Sequence, residues 1–344
     1  MDSNTKFNLI VDGLDEIIGE QELINIIQER DLKLYWGTAP TGKPHIGYLK
    51  PLFKICQFLK AECDVTILFA DLHAYLDAQK SSWEQLTYRT EYYKDVITET
   101  LKALGAPIEK LHFVKGTDYQ LTPKYTLDVY RLMSKMSLHD AIKSGAEVVK
   151  QSKDPKMASL LYPGLQALDE EFLNVDAQFG GVDQRKIFML ADKYLPKLNY
   201  KKRIHLMNPM IPSFNSGNPN EKMSSSDENS KIDLLDTPKA IKKKIGKAFC
   251  EEGNIECGLL NFVSNIIFPI EQFRNNTFEI KRNEEHGGNL EYSNYEDLKN
   301  EFKDKKLHPV DLKQGISSWL IELLDPLRNY FENDNIRNNI LNAY

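Results

Sequence analysis

The chain of 344 residues contains only four cysteines and no long hydrophobic run. The cysteines fall as Cys56 and Cys63, then Cys250 and Cys257, at spacings wider than those of the usual zinc-binding pairs. Four cysteines are also too few to cross-link a chain of this length. We therefore expect them to be reduced, with no protein-bound structural metal. No apolar segment approaches the roughly 20 residues that a membrane-spanning helix needs, so we expect no membrane partner.

Basic residues are scarce at the start of the chain. The first thirty residues contain Lys6 and Arg30 as their only bases, among many acidic residues. This composition is unlike that of a secretory signal or a transit peptide, so the expected location is cytoplasmic. The formal net charge of −6 gives no general attraction for nucleic acid. Any contact with a polyanion must therefore come from local basic patches, although a run of lysines more commonly forms a solvated face.

What the sequence does have is a regular alternation of predicted strands and helices. Strands are expected at 32–38, 64–71, 111–115 and 204–207, and helices at 45–60, 83–104 and 123–139. Apolar residues such as Ile17 and Ile26 predict helical segments before the first strand, interrupted by Gly13 and Gly19. The alternation predicts an α/β fold with a doubly wound, Rossmann-like parallel sheet. In such a sheet the ligand binds beyond the carboxyl ends of the strands.

The pattern changes near residue 230. Asp236-Thr-Pro238 predicts the start of a lysine-rich helix, and further helices are expected at 294–303 and 311–324. We therefore expect two domains, a Rossmann-like one at 1–230 and a mainly helical one at 231–344. The segment 212–221 is rich in Gly, Pro and Asn and is typical of a loop.

Residues 39–48, Ala-Pro-Thr-Gly-Lys-Pro-His-Ile-Gly-Tyr, form a turn between the first predicted strand and the following helix. Free backbone N–H groups and the positive end of a helix dipole favour phosphate at such a turn. His45 could donate to phosphate oxygens, and Gly47 leaves room for a base or a ribose. For this segment alone, an ordinary connection whose histidine caps the helix is an equally good interpretation.

Residues 221–226, Glu-Lys-Met-Ser-Ser-Ser, place a lysine in a serine-rich segment. Lys222 could follow the charge that develops on the α-phosphate and the departing pyrophosphate of ATP. Met223 would anchor the segment, while Ser224 and Ser225 offer hydroxyl groups. On its own this segment is more commonly a solvated polar loop. The two segments together are typical of one ATP site and favour adenylation chemistry.

Both segments resemble signatures of the class I aminoacyl-tRNA synthetases. His45-Ile-Gly-Tyr48 is similar to HIGH with its last histidine replaced, and Lys222-Met-Ser-Ser-Ser226 to KMSKS with Ser225 in place of the second lysine. Further similar segments are 35–38 (YWGT), 68–76 (LFADLHAYL), 115–121 (KGTDYQL), 161–170 (LYPGLQALDE) and 176–186 (DAQFGGVDQRK). The chain thus resembles, over essentially its whole length, the tyrosyl-tRNA synthetases of the eukaryotic cytosolic and archaeal kind. The resemblance implies activation of L-tyrosine with ATP, accompanied by Mg²⁺, and transfer of tyrosine to tRNA(Tyr).

The resemblance also implies a set of site residues. Tyrosine is expected to contact Tyr35, His73, Gln120, Tyr162, Gln166, Asp169 and Gln184. ATP is expected to contact Gly37, Thr38, Pro40, His45, Gly47, Gly180, Asp183, Lys222 and Met223. The catalytic group would be His45, Lys222, Ser224 and Ser225. Asp169 is expected to accept a hydrogen bond from the substrate phenol, and the spacing of residues 162, 166 and 169 places them on one face of a helix. Without the resemblance, Tyr162 and Gln166 would be interpreted as packing between helices.

For the tRNA, the resemblance implies that Asp311 binds the first anticodon base, a guanine, and that His286 stacks on it. Histidine replaces the Trp or Phe usual in the family, although an imidazole can also stack on a base. On the sequence alone, an acidic residue at a helix N-terminus is the commoner role of Asp311. The family is homodimeric, and the contact is expected around the long helix after Trp83 and the region 123–139. We expect no additional tail after Tyr344, and we expect activity to reside in the two domains.

Two alternatives stay open at the level of sequence. Tryptophanyl-tRNA synthetases share the fold, but the pairing of Tyr35 with Asp169 suits a phenol better than an indole. A non-catalytic RNA-binding or signalling relative would be expected to have lost His45, Lys222 or Asp169, and all three are present.

Overall fold

The structure is a computed structural model that describes residues 1–77, 82–147, 156–210, 231–333 and 340–344. Six strands form its main sheet: β1 (Glu16–Ile18), β2 (Lys33–Thr38), β3 (Asp64–Phe69), β4 (Leu111–Lys115), β5 (Ala177–Gly181) and β6 (Ile204–Asn208). Their order is β1-β6-β5-β2-β3-β4. β1 is antiparallel to β6, and all other neighbours are parallel. The predicted doubly wound parallel sheet is therefore confirmed.

Helices cover both faces of this sheet and make up most of the rest of the described chain. Up to β6 they are α1 (Ser3–Val11), α2 (Glu20–Glu29), α3 (Leu49–Lys60), α4 (Asp71–Leu76), α5 (Trp83–Ala103), α6 (Thr117–Gln120), α7 (Pro123–Met133), α8 (Leu138–Gly145), α9 (Met157–Phe172) and α10 (Arg185–Tyr194). After β6 they are α11 (Pro238–Lys247), α12 (Gly258–Phe262), α13 (Phe268–Phe273), α14 (Tyr295–Lys303) and α15 (Pro309–Phe331). No helix among the described residues is both long enough and apolar enough to span a bilayer.

Three of the predicted elements differ from the structure. The first helical segments do not include Ile17 and Ile18, which form the short strand β1 by pairing with Leu206 and His205. Their apolar pattern is compatible with a helix or a strand, and pairing with β6 stabilises the strand. The strand predicted at 64–71 ends at Phe69, since Asp71 begins α4. The helix predicted at 123–139 is two helices, because Ser137 caps α8 by accepting from the backbone of Asp140.

The second half of the chain adds a hairpin that the sequence analysis did not predict. Strands β7 (Phe278–Ile280) and β8 (Leu290–Tyr292) pair in antiparallel fashion. The predicted lysine-rich helix is confirmed as α11, which Thr237 caps by accepting from Ala240. Buried residues from both halves of the chain belong to one continuous core. At that junction Phe53 of α3 meets Phe273 of α13 edge to face, with ring centroids 5.5 Å apart.

The topology determines where a ligand can bind. The chain leaves β2 towards β3 and β4 on one side, and later adds β5 and β6 on the other side of β2. The connections therefore diverge between β2 and β5 and leave a crevice beyond their carboxyl ends. The last residues of these two strands, near Thr38 and Gly181, frame this crevice.

Candidate active site

Two adjoining cavities occupy the crevice between β2 and β5. Cavity A has a volume of about 230 Å³ and cavity B one of about 420 Å³. The residues that line both are Trp36, Phe179, Gly180, Gly181 and Gln184. The shared wall means that a molecule in one cavity can touch a molecule in the other. The strand ends therefore form one continuous site with two compartments.

Asp169 is the charged group at the wall of cavity A. It lies on α9, is almost fully buried, and accepts three hydrogen bonds at Oδ1. The donors are Tyr119 Oη at 2.8 Å, Gln120 Nε2 at 2.8 Å and Tyr125 Oη at 3.0 Å. Its other oxygen, Oδ2, has no hydrogen-bond partner among the described residues. The carboxylate is thus held by one oxygen, and the second is left to accept a bond from a ligand.

Burial determines the protonation of Asp169. Desolvation raises the pKa of the carboxyl to about 7, and the three hydrogen bonds only partly oppose this shift. The acid therefore changes its charge near neutral pH. A donor entering cavity A would favour the ionised form, because a hydrogen bond to a carboxylate lowers its pKa.

The remaining wall of cavity A is polar along one side. Tyr35 Oη donates to the backbone oxygen of Gln166 at 3.3 Å, and Gln166 Nε2 donates to Gln184 Oε1 at 3.2 Å. Tyr162 lies one turn before Gln166 on α9 and meets the ring of His73 edge to face at 4.6 Å. Both nitrogens of His73 are buried and have no side-chain partner in the described part of the chain, and burial lowers the pKa of this imidazole to about 4. The structure thus brings together the seven predicted tyrosine contacts: all except Gln120 line cavity A, and Gln120 bonds to Asp169 behind it.

His45 is on the wall of cavity B and caps the short turn Ile46–Tyr48, as the alternative interpretation of its segment suggested. Its Nδ1 accepts from the backbone of Gly47 at 3.1 Å, so the proton of the neutral ring lies on Nε2. Desolvation, and then the charge of Lys231, lower the pKa of His45 to about 4. The imidazole is therefore neutral at pH 7 and can offer one N–H donor. Capping and donation use different nitrogens, so both roles fit one residue.

The turn before His45 is tied down by α5. Arg89 Nη1 donates to the backbone oxygen of Thr41 at 2.8 Å, and its Nε donates to that of Ala343 at 2.7 Å. Tyr93 Oη donates to the backbone oxygen of Gly42. The ring of Tyr344 packs 4.7 Å from the Arg89 guanidinium. These contacts give the turn a fixed position beside cavity B.

The other predicted ATP contacts lie at the ends of β2 and β5. Gly37 and Thr38 line cavity A, Gly47 and Asp183 line cavity B, and Pro40 is buried in the turn. Gly180 separates the two compartments. A Cβ at Gly180 would come within 2.9 Å of the Phe188 ring, so packing favours glycine at this position.

Lys222, Met223, Ser224 and Ser225 lie outside the described residues, but both flanks of their segment are at cavity B. On one side Met210 lines the cavity. On the other side, residues 45 and 233 form an isolated antiparallel β-bridge. Its two backbone hydrogen bonds run from Ile46 N to Ile232 O at 2.9 Å and from Leu234 N to Pro44 O at 3.2 Å. The chain between 210 and 231 therefore leaves from and returns to the same compartment.

Asp311 lies far along the chain, in the first turn of α15. Arg282 Nη1 approaches its Oδ2 at 3.4 Å, and Arg282 Nε donates to Gly288 O at 2.8 Å. Gly287 and Gly288 both adopt positive φ, of 91° and 73°. Arg282 thus joins Asp311 to the turn that follows residue 286. The side chain of His286 lies outside the described residues.

A third cavity, of about 770 Å³, lies between α13, the hairpin and α15 and shares no wall residue with cavities A and B. Its acidic residues are paired within the protein. Glu271 accepts from Trp319 Nε1 at 2.7 Å, and Glu322 lies 3.3 Å from Lys281. Among the described residues there is no cluster of three or more His, Cys, Asp or Glu side chains that could hold a metal ion.

Several residues in or next to the site were not predicted from the sequence as contacts. Tyr125 reaches Asp169 from α7, and nothing in its local pattern indicates that contact. Tyr48, at the position where HIGH has its last histidine, packs edge to face against Trp36 and His45. Asn208 ends β6 and lines cavity B. Its place directly after an apolar strand was a usable signal, because ligand contacts follow the strands of such sheets.

The comparisons with known proteins agree with this geometry. The family model described as tRNA synthetases class I (W and Y) matches residues 28–325. A cytoplasmic tyrosine–tRNA ligase of Gallus gallus is 56% identical over 333 residues, covering 96% of this chain and 62% of the relative. That of Saccharomyces cerevisiae is 52% identical over 341 residues, covering 97% of this chain and 86% of the relative. The tyrosyl-tRNA synthetase of Archaeoglobus fulgidus, solved with L-tyrosine, superposes with a TM-score of 0.85 at 34% identity and covers 95% of this chain and 99% of that one. The chain spans 62% to 63% of the length of the vertebrate relatives.

Proposed function

Because the chain belongs to the class I tRNA synthetases of tryptophan and tyrosine, we propose that it is a tyrosine–tRNA ligase. The observation that carries the choice of amino acid is Asp169, a buried carboxylate that accepts its three hydrogen bonds from other described residues at one oxygen, Oδ1. Tyr35 shares its cavity. A phenol hydroxyl would donate to Asp169, whereas the indole of tryptophan would present its N–H at a different distance from the amino acid backbone. The relatives' names agree with tyrosine.

In the first step the tyrosine carboxylate attacks the α-phosphate of ATP, forming tyrosyl-adenylate and releasing pyrophosphate. In the second step the terminal ribose hydroxyl of tRNA(Tyr) attacks the acyl carbon. Neither step requires a protein nucleophile, so the site acts by positioning and by electrostatic stabilisation. Gln166 and Tyr162 would hold the ammonium group, which directs the carboxylate towards the shared wall of cavities A and B. His45 would donate from Nε2 to a phosphate oxygen.

Mg²⁺ would enter with ATP, since this ion keeps phosphate and water ligands and needs at most one or two carboxylates. Asp183, on the wall of cavity B, is an acid that fits this requirement. The ion supplies positive charge to the phosphates. Lys222 and the serines after it would supply further donors, and what favours this role is that both flanks of their segment lie at cavity B. Lys231 is a further cation near His45, because its charge contributes to lowering the pKa of that imidazole.

The roles of the two halves of the chain follow from the same assignment. We assign activation to residues 1–230 and anticodon binding to residues 231–344. Arg282 supports the second assignment, because it holds Asp311 beside the turn that follows residue 286. The cytoplasmic location is proposed from the names of the relatives.

The proposed activity is tested by ATP–pyrophosphate exchange. Exchange is expected with tyrosine and not with tryptophan or phenylalanine, because only the phenol satisfies Asp169. The assay compares the three amino acids at equal concentration with the purified chain. Exchange with tryptophan alone would favour the other member of the family. Exchange with none of the three would favour a protein that has kept the fold without the activity.

We further propose that the protein is a homodimer through α7 and α8. Large apolar side chains protrude from these helices and from the residues around them: Leu121, Leu127, Tyr130, Met133, Leu138, Ile142 and Met157. Leu127, Tyr130 and Leu138 are each about 60% exposed, at 58%, 64% and 63%. Monomers rarely expose so many large apolar residues in one region. A second copy of the same surface would cover them.

The double variant Leu127→Asp/Tyr130→Asp is expected to be monomeric, because two carboxylates on each copy would be buried at the contact. Light scattering coupled to size exclusion should give the mass of two chains for the wild type and of one chain for the variant. Phe249→Asp, at an exposed apolar residue outside this region, is the matched control and should stay dimeric. A dimeric double variant would exclude this surface as the interface.

A further inference from the structure

Asn208 is a buried amide whose two polar atoms both lack a partner. It is the last residue of β6 and pairs in register with Gly181 of β5, so it lies at the carboxyl edge of the sheet. The residue is 4% exposed. Among the described residues, neither Oδ1 nor Nδ2 has a hydrogen-bond partner. Buried polar side chains are normally hydrogen bonded, so this amide indicates a partner that the described chain does not supply.

The unpaired amide lines cavity B. His45 and Gly47 lie on the same wall, as does Met210, two residues further along the chain. None of the phosphate or tyrosine contacts proposed above involves Asn208. A thioether such as that of Met210 packs well against an aromatic ring. Cavity B therefore contains a second polar feature, separate from His45, that is still without a role.

The chemistry of an amide restricts which part of ATP it can bind. Asn208 presents one acceptor, Oδ1, beside one donor, Nδ2. Phosphate oxygens are acceptors, so they would leave Oδ1 unsatisfied. The adenine base has an amino donor, N6, beside ring nitrogen acceptors, and this edge is the one that asparagine binds with two hydrogen bonds in nucleic-acid recognition. The ribose hydroxyls could also satisfy an amide, and the experiment separates the two.

We propose that Asn208 recognises the adenine base of ATP, with Nδ2 donating to a ring nitrogen and Oδ1 accepting from the N6 amino group. The proposal rests on the proposed function, because it takes ATP as the occupant of cavity B. It makes Asn208 a determinant of base specificity. The residue does not touch the reacting phosphate, so it acts on nucleotide affinity and not on the chemical step.

The test compares ATP with purine riboside 5′-triphosphate, which lacks the N6 amino group. The wild type is expected to bind this analogue about 10- to 100-fold more weakly than ATP, the discrimination typical of a two-bond amide contact. Asn208→Ala should lose a similar factor for ATP and bind the two nucleotides almost equally. Asn208→Asp keeps the acceptor for N6 but replaces the donor to the ring nitrogen by a second acceptor, so it should bind both nucleotides more weakly while still preferring ATP. Competition binding with a fluorescent nucleotide gives all three comparisons.

Two controls separate this contact from a structural role. Tyrosine affinity should be unchanged in both variants, because Asn208 is not on the wall of cavity A. The discrimination between ATP and 2′-deoxy-ATP should be the same in wild type and Asn208→Ala. If the variant lost that discrimination instead, the amide would bind the ribose and the proposal would be wrong.

Full retention of the preference for ATP over the purine analogue in Asn208→Ala would also overturn the proposal. The wild-type comparison needs no variant, so equal binding of the two nucleotides by the wild type would be decisive even if neither variant folded. If the wild type binds ATP but shows no tyrosine-dependent exchange, the proposed function is wrong. The adenine contact is then still tested by comparing the binding of ATP with that of the purine analogue. Absence of ATP binding would overturn both.

Discussion

His45→Ala is expected to slow tyrosyl-adenylate formation by about 100- to 1,000-fold, the usual effect of removing one preorganised donor from a site of developing charge. The affinity for tyrosine should change little, since His45 lines cavity B and not cavity A. The physical reason is that Nε2–H is free to bond the phosphate because Nδ1 is already bonded to Gly47. Rapid-quench measurement of adenylate formation, with tyrosine affinity measured separately, gives both quantities.

His45→Gln and His112→Ala serve as comparisons for this result. Gln can still donate from a similar position and should restore part of the rate. His112 is an exposed histidine paired with Asp64, and its removal should have no effect. Because burial lowers the pKa of His45 to about 4, the wild-type rate should show no loss from its protonation between pH 8 and pH 6. A near-normal rate in His45→Ala, or an equal loss of tyrosine affinity, would contradict the assigned role.

Asp169→Asn is expected to lower kcat/KM for tyrosine by about 100-fold or more, because a hydrogen bond to a buried charged group is replaced by a poorer one. The kcat/KM for phenylalanine should fall much less, since phenylalanine has no hydroxyl group that could bond to Asp169. The variant should therefore distinguish the two amino acids less than the wild type does. Pyrophosphate exchange at several concentrations of each amino acid measures the ratio.

The pH dependence gives a second readout for Asp169. Its pKa is raised to about 7, so the folded state is favoured when the carboxyl is protonated, and this contribution to stability is lost as the pH rises from about 4 through 7. The affinity for tyrosine depends on pH in the opposite direction. It increases as the pH rises, because the phenol donates to the ionised carboxylate. Tyrosine affinity in the wild type should fall by up to about tenfold per pH unit below 7, and Asp169→Asn should remove this dependence.

The control for both Asp169 experiments is Glu171→Gln. Glu171 lies on the same helix but pairs with Arg203, with Oε2 2.9 Å from Nη2. The variant should therefore leave the preference for tyrosine over phenylalanine and the pH dependence of tyrosine affinity unchanged. If Asp169→Asn kept the wild-type preference for tyrosine, another group would have to recognise the phenol.

The site residues were predicted from the family resemblance, and periodicity supported three of them. The spacing of Tyr162, Gln166 and Asp169 predicted one helical face, and α9 confirms that all three are directed to cavity A. The alternation of strands and helices predicted where the ligand edge would lie. These patterns can be predicted from the sequence because they depend only on the local geometry of a helix or a strand.

What could not be predicted depends on pairing between distant segments. Ile17 and Ile18 look like part of a helix until β6 is beside them, and the hydroxyl of Tyr125 has no target until α7 packs on α9. The protonation of Asp169 also has no sequence signal, because desolvation by the surrounding fold sets its pKa. Asn208 belongs to the same group, since only the packed structure shows that its amide is without a partner.

The backbone bridge between residues 45 and 233 has a consequence for variation in length. The stretch from 211 to 230 starts at β6 and ends at that bridge, so the separation of its ends is set by the sheet and not by its own residues. Lengthening a chain segment between fixed ends costs only about 0.6 kcal/mol for each doubling. Insertions and deletions before Lys222 in that stretch should therefore be tolerated during evolution, while Lys222 to Ser225 and the flanking residues beside His45 stay constant.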